Sequence, residues 1–181
     1  MKPIYVSLTR KGDVDKAIKI LKDYKKSLIS KEEIFVRRLA ELGVEVAQMT
    51  LAKGRGDSSR DAKFSVNFTL DGETVEGILS ITSEPHVLKD GRTYYPHLGW
   101  EFGAGIYYNN GNANPKAHDM GMGVGTFPKQ TNAFNDYWWY RDENKQLHIS
   151  YGTEAIMPMY KASIEIIKAI ETVAREVYGN G

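Results

Sequence analysis

The 181 residues suit a single domain large enough to bury a core without a metal or a disulfide. There is no cysteine, which excludes thiol catalysis, Cys-based zinc sites and disulfide staples. A net charge of +1, from 24 Lys/Arg against 23 Asp/Glu, carries no global signature of polyanion binding.

The charge is unevenly spread. Residues 1–63 hold fifteen Lys/Arg and nine Asp/Glu, whereas residues 64–181 hold nine and fourteen. Such polarity can orient a subunit between two different partners, although a Lys-rich helix also has a solvated face for ordinary reasons. The first residues, Met1-Lys2-Pro3-Ile4-Tyr5-Val6, lack an apolar run of signal-peptide length. No stretch approaches the ~20 apolar residues of a membrane span. Synthesis in the cytoplasm is expected.

Residues 13–29 predict a first helix. Asp13 or Asp15 supplies the N-cap, and Val14, Ala17, Ile18, Leu21, Tyr24 and Leu28 form one apolar stripe. A second helix is expected from Ser30 to about Ala52, since Ser30 and Glu33 match a capping box. Phe35, Leu39, Leu42, Val46 and Met49 give it one apolar stripe. Val36, Ala40, Gly43 and Ala47 give it a second, narrow stripe that a neighbouring subunit or the chain's own core can approach closely. Residues 53–62 read as a loop, and the Arg55-Gly56-Asp57 within it as a chance tripeptide.

Strict alternation follows. Phe64, Val66, Phe68 and Leu70 share one face, and Ser65, Asn67 and Thr69 the other. Asp71-Gly72 signals a hairpin turn, with Thr74 to Thr82 returning and Val75, Leu79 and Ile81 inward. A further strand is expected near Leu98, Trp100 and Phe102. Residues 103–135 are rich in Gly and Asn and lack periodicity, as in a long functional or mobile loop. Tyr137 to Tyr151 predicts another hairpin around Asp142-Glu143-Asn144-Lys145. A final helix is expected at about 159–178, with Met159, Ile166, Ile170, Val173 and Val177 as its stripe and Gly179 as C-cap.

No catalytic, cofactor or metal constellation emerges. His86, His97, His118 and His148 fit no zinc spacing. Gly121-Met122-Gly123-Val124-Gly125 lacks the Gly-Lys-Ser/Thr of a phosphate loop and does not sit between a strand and a helix. There is no nucleophile elbow. Glu101 is a candidate buried acid with a raised pKa, and Asp119 beside His118 a candidate dyad. Trp138 and Trp139 are consecutive strand residues, so they point to opposite faces and one must line an interface, pack under the long loop or be exposed. The expected interface residues are Val36, Ala40, Gly43, Ala47, Tyr107, Tyr108, Phe127, Trp138 and Trp139.

Two segments resemble a known family. Trp100-Glu101-Phe102-Gly103-Ala104-Gly105-Ile106 is similar to the Glu-Phe-Gly-Thr-Gly signature of the tail-completion or head–tail joining proteins of lambdoid-type long-tailed bacteriophages, with Ala104 where Thr is usual. Gly152-Thr153-Glu154-Ala155-Ile156-Met157-Pro158-Met159-Tyr160-Lys161-Ala162 resembles the sequence that opens that family's last helix. The ending Val173 to Tyr178 and the stretch Gly43 to Ala47 are also similar. Residues by themselves explain part of this: Pro158 suits a first helical turn and should push Met157 toward an extended conformation, and Gly152 lets the strand turn. Met159 and Tyr160 should seat the helix on the sheet.

The resemblance implies that Glu101, Phe102, Gly103, Gly105, Gly152, Pro158, Met159 and Ala162 are structural motif positions. It implies a non-enzymatic virion protein without a cofactor, made in the host bacterial cytoplasm. That protein would form a ring of about six subunits at the neck, contacting other neck and tail proteins, with DNA only in transit and no membrane. The isolated chain is allowed to be a monomer. The expected fold is α+β in one domain, residues 1–181. It comprises N-terminal helices, an antiparallel sheet of four to five strands, and a long C-terminal helix packed on the sheet. The alternatives are a small metal-dependent hydrolase or nuclease using His118, Asp119, Glu101 and His148, and a nucleic-acid-binding module using the Lys-rich first helix.

Overall fold

The computed structural model describes residues 11–54, 61–87, 91, 93–105, 114–117, 119, 135–142 and 144–179. The class is α+β, as the order of periodic segments predicts. Helix α1 spans Lys11–Ala52, followed by strands β1 (Lys63–Asp71), β2 (Thr74–Thr82), β3 (His86–Val87) and β4 (Thr93–Tyr94). Helix α2 is Pro96–Phe102 and strand β5 is Ala104–Gly105. Strands β6 (Trp138–Arg141), β7 (Leu147–Ser150) and β8 (Gly152–Thr153) lead to helix α3, Pro158–Tyr178.

The two expected N-terminal helices are one. Nothing between Asp13 and Leu42 breaks a helix: the segment holds neither Gly nor Pro. The capping-box residues are used otherwise. Glu33 pairs with Arg37 one turn on, at 3.4 Å, and neighbouring Glu32 receives the Val75 backbone N–H at 3.4 Å. The result is a rod of 42 residues, about 63 Å at 1.5 Å per residue.

Helix α3 runs antiparallel along the C-terminal half of this rod. The Phe35 and Tyr178 rings meet at 5.9 Å, and Arg38 bonds Glu176 at 2.9 Å. At the other end, Val46 and Thr50 line an open groove with Lys161, Ile164, Glu165 and Lys168. The expected seating of the last helix on a sheet therefore gives way to helix-on-helix packing. Strand β2 takes another face of α1. Val36 lies against Gly77, and Gly43 lies against both Leu79 of β2 and Ile166 of α3. The salt bridge between Lys25 and Glu73 ties the hairpin tip to the rod.

The expected hairpin β1–β2 pairs Phe64 opposite Ile81 through Asp71 opposite Thr74. Its two connecting residues are Gly72 and Glu73, one position later than the Asp71-Gly72 signal, with Gly72 in the left-handed region. Arg37 stacks its guanidinium over Phe68 at 4.7 Å, so a charged residue of α1 helps cover the hairpin's inner face.

Two further expectations are corrected. Among the described residues there is no sheet of four or five strands, but four separate antiparallel pairs: β1–β2, β3–β4, β5–β8 and β6–β7. The Leu98–Phe102 segment is helix, not strand. Pro96 sits in its first turn, Leu98 N–H bonds the Tyr95 carbonyl at 3.1 Å, and Gly99 through Phe102 are all buried. Four consecutive buried residues fit a short helix wedged among neighbours better than a half-covered strand.

The most buried side chains gather at one end. Ala40, Ala47 and Leu51 of α1 join Trp100, Phe102, Ala117, Ala155, Ala162 and the fully buried Pro158. Among the described residues of α1, from 12 onward, none before Ala40 is buried. The small-residue stripe of α1 is thus spent inside the chain: Ala47 has no exposed surface, and a Cβ on Gly43 would meet Ile166 Cδ1 at 2.7 Å and Leu79 Cδ2 at 2.9 Å. It is not the neighbour-facing surface that its composition also allowed.

Replacing Gly43 by Leu drives an isobutyl group into this three-way junction. A loss of about 1–3 kcal/mol is expected, read as a lower urea midpoint. An unchanged midpoint would mean that α1, α3 and β2 do not close there.

Candidate functional site

The best-built polar arrangement lies where α2, β5 and β8 meet the start of α3. The first backbone N–H groups of a helix have no partner within it and carry partial positive charge. At α3 no side chain of its own first turn supplies a cap. Glu101, the penultimate residue of α2, does so from 58 positions away. Its Oε2 accepts the Met159 N–H at 2.9 Å, and its Oε1 accepts the Tyr160 N–H at 2.9 Å.

Glu101 is 7% exposed. A third donor, Asn114 Nδ2, reaches its Oε1 at 2.7 Å. Asn114 is itself buried and held by a local turn, its Oδ1 accepting the Lys116 N–H at 2.8 Å and its carbonyl the Ala117 N–H at 2.9 Å. Burial pushes the Glu101 carboxyl above the usual range, opposed by its three N–H donors and by Lys161.

The backbone completes the joint. The Trp100 carbonyl accepts N–H bonds from Ile156 at 2.8 Å and Met157 at 3.0 Å. Strand β5 pairs with β8, Ala104 opposite Thr153 and Gly105 opposite Gly152. Gly105 has φ 69°, and any Cβ there would strike the Tyr151 carbonyl, so no other residue fits without moving one strand. Met157 is left-handed (φ 59°, ψ 52°), not extended. Pro158 does keep it out of the right-handed helical region, but its amide is drawn to Trp100, and the turn this requires is the left-handed one.

The other predicted site residues are scattered. Trp138 is half-buried, and Trp139, on the opposite face of β6, is 58% exposed. Asp119 is exposed and bonded to Lys116 at 3.2 Å. His148 bonds Asp142 at 3.0 Å and stacks on Tyr140 at 5.4 Å, within its own hairpin. That bond holds the Asp142 carboxyl below its ordinary range. Tyr107, Tyr108, His118, Phe127 and the Gly121–Gly125 run lie outside the described residues. Among those described, no group of three or more His, Asp or Glu is placed to hold a metal ion, and no helix is long and apolar enough to cross a membrane.

Two contributors were not singled out from the sequence. Asn114 sits inside the aperiodic stretch, where Asn114-Pro115 was a usable turn signal. Ser83 is buried; its Oγ lies 2.8 Å from His97 Nδ1 and accepts the His97 backbone N–H at 3.2 Å. It thereby serves the first turn of α2, where Tyr95 gives no side-chain cap. Burial lowers the His97 pKa.

No family model, no curated protein and no solved structure matches this chain.

Glu101→Gln places an amide NH₂ where an N–H donor already points. It should cost about 1–3 kcal/mol, measured by urea unfolding near neutral pH; an equal midpoint would show that the cap is dispensable. Two pH trends follow from linkage. Glu101 has a raised folded-state pKa, so its stabilising contribution is full below its ordinary 4.5 and declines as pH climbs through the raised value. His97 has a lowered one, so its contribution is full above its ordinary 6.5 and is lost as pH falls through the lowered value. Glu101→Gln should remove the first slope alone, and His97→Gln the second alone, in midpoints taken from pH 4 to 7.5.

Proposed function

We propose that the chain is a structural component of a long-tailed phage particle, acting at the neck to complete the tail or join it to the head as one subunit of a ring around the DNA channel. The sequence resemblance is the origin of this reading. The observation that supports it most is spatial. The two segments that carry the resemblance, Trp100–Gly105 and Gly152–Ala162, lie some fifty residues apart in the chain and form one joint in which each satisfies the other's backbone. Motif positions that assemble into one buried structure are what a fold signature would require, and this supports the reading.

The chemistry agrees with an assembly role. Glu101, the strongest candidate acid, is committed to capping α3 with both oxygens. The opposed charges of residues 1–63 and 64–181 suit a piece held between different neighbours. In this reading the protein is made in the host cytoplasm, enters the virion, uses no cofactor and meets DNA only in transit.

Deleting the gene from the phage or prophage that encodes it should leave full heads and separate tails under negative-stain electron microscopy, with infectivity restored by the gene in trans. Joined, infectious particles from the deletion would overturn the proposal.

A further inference from the structure

Among the described residues, two apolar faces are exposed. The first is the N-terminal part of α1. Its stripe runs Val14, Ile18, Leu21, Tyr24 and Leu28, each 38–55% exposed. This continues the stripe that packs on α3 further along, but α3 ends at Tyr178 beside Phe35, so the rod runs on without it. The second is one side of the hairpin β6–β7. Trp139 and Ile149 are directly paired, and Tyr137, Leu147 and Tyr151 share their side by alternation. These five are 38–58% exposed. A hairpin with two four-residue strands is marginal in water without something packed on it.

The faces suit each other. The helix stripe is about 21 Å long, and the five-residue edges of the hairpin face span about 17 Å. Residues 11–28 carry six Lys and three Asp, whereas residues 135–151 carry Asp136, Asp142 and Glu143 against Arg141 and Lys145. Two helix stripes facing each other would instead bring two lysine-rich flanks together. Aromatic side chains such as Tyr137, Trp139 and Tyr151 are the kind that anchor interfaces.

The centres of the two faces, Leu21 and Ile149, cannot meet within one chain. Ile156 touches Gly54, just past the end of α1, and Ile149 is seven residues from Ile156, at most about 25 Å away. Leu21 lies 33 residues from Gly54, about 50 Å along the rod.

We propose that the β6–β7 hairpin of one copy docks its Tyr137/Trp139/Ile149 side on the Val14–Leu28 stripe of the next copy. The contact is heterologous, since each copy offers a different face to each neighbour, and it leads to a closed ring or to an open filament according to the rotation between copies. It deepens the ring reading given above and names the surfaces that would build it.

The cysteine-free chain allows a direct test. Leu21→Cys and Ile149→Cys are introduced singly and together in the full chain, which is then oxidised at high concentration and run on a denaturing gel. The double variant should give a ladder of covalent oligomers, and an equimolar mixture of the single variants a dimer alone. Each single variant by itself should stay monomeric. Adding Trp139→Ser should cut crosslinking at least about tenfold while circular dichroism stays unchanged. Dimers from Leu21→Cys alone would mean helix meets helix, and would overturn the proposal. Absence of any crosslink in the double variant, or a disulfide within one chain, would overturn it equally. A chain that joins heads to tails yet never crosslinks here loses this contact and keeps its virion role. One that crosslinks but is dispensable for joining keeps the contact and loses the role.

Discussion

The carboxylate of Glu101 against the first turn of α3 is the contact on which the rest of the architecture depends. A buried acid is unfavourable unless it finds donors, and the start of a helix is a set of donors without acceptors. Each problem solves the other here, across 58 positions of sequence. Because both oxygens of one carboxylate are used, the direction of α3 is set relative to α2. The Trp100 carbonyl and the β5–β8 pair then fix the strand that delivers Pro158. Once α3 is aimed, its length carries it along α1 to Tyr178, and the small residues Ala40, Gly43 and Ala47 set how near it lies.

This explains why a chain with so little sheet still has a defined fold. Among the described residues its strand pairs are separate and mostly short, and none supplies a continuous platform. Order comes instead from a long rod, a helix laid on it and one hairpin of two nine-residue strands beside it, with a capped joint at the end where the buried residues gather. Among the described residues, α3 does not reach the N-terminal part of the rod, which meets the hairpin tip through Lys25 and Glu73. A solitary helix segment of that length is marginal in water, and its retention here depends on continuity with the packed half of α1.

Elements with strong local signals were legible in the sequence. Alternation placed β1 to within one residue at each end and β2 at its bounds, and the aromatic run with its polar turn placed β6 and β7. The 3.6-residue stripe and Gly179 bounded α3. What failed did so for definable reasons. Ser30 and Glu33 carry a capping pattern, but a cap forms only where the helix must start, and no breaker forces a start there. Leu98, Trp100 and Phe102 alternate like a strand, yet a window of five residues cannot separate a strand from a turn and a half of buried helix. Glu101 was recognisable as an acid in apolar company. Its true use was not, because the donors it serves are backbone groups defined only by where a distant helix begins.

The same reasoning separates the motif residues from the exposed apolar surfaces. Gly103, Gly105, Gly152, Pro158 and Ala162 are at least half-buried and serve the joint; substituting them would act on folding first. Trp139, Tyr137 and Tyr151 are the reverse case: large, apolar, exposed, and attached to a hairpin that contributes little to the packed end. Holding three aromatic side chains in water lowers solubility and stabilises nothing within the monomer, so their presence is best explained by an encounter outside it. The rod poses the matching problem at the other extremity, where Val14 through Leu28 prolong a stripe that α3 no longer covers. In the docking proposed above, another copy of the chain would cover both faces, since Leu21 and Ile149 lie too far apart to meet within one.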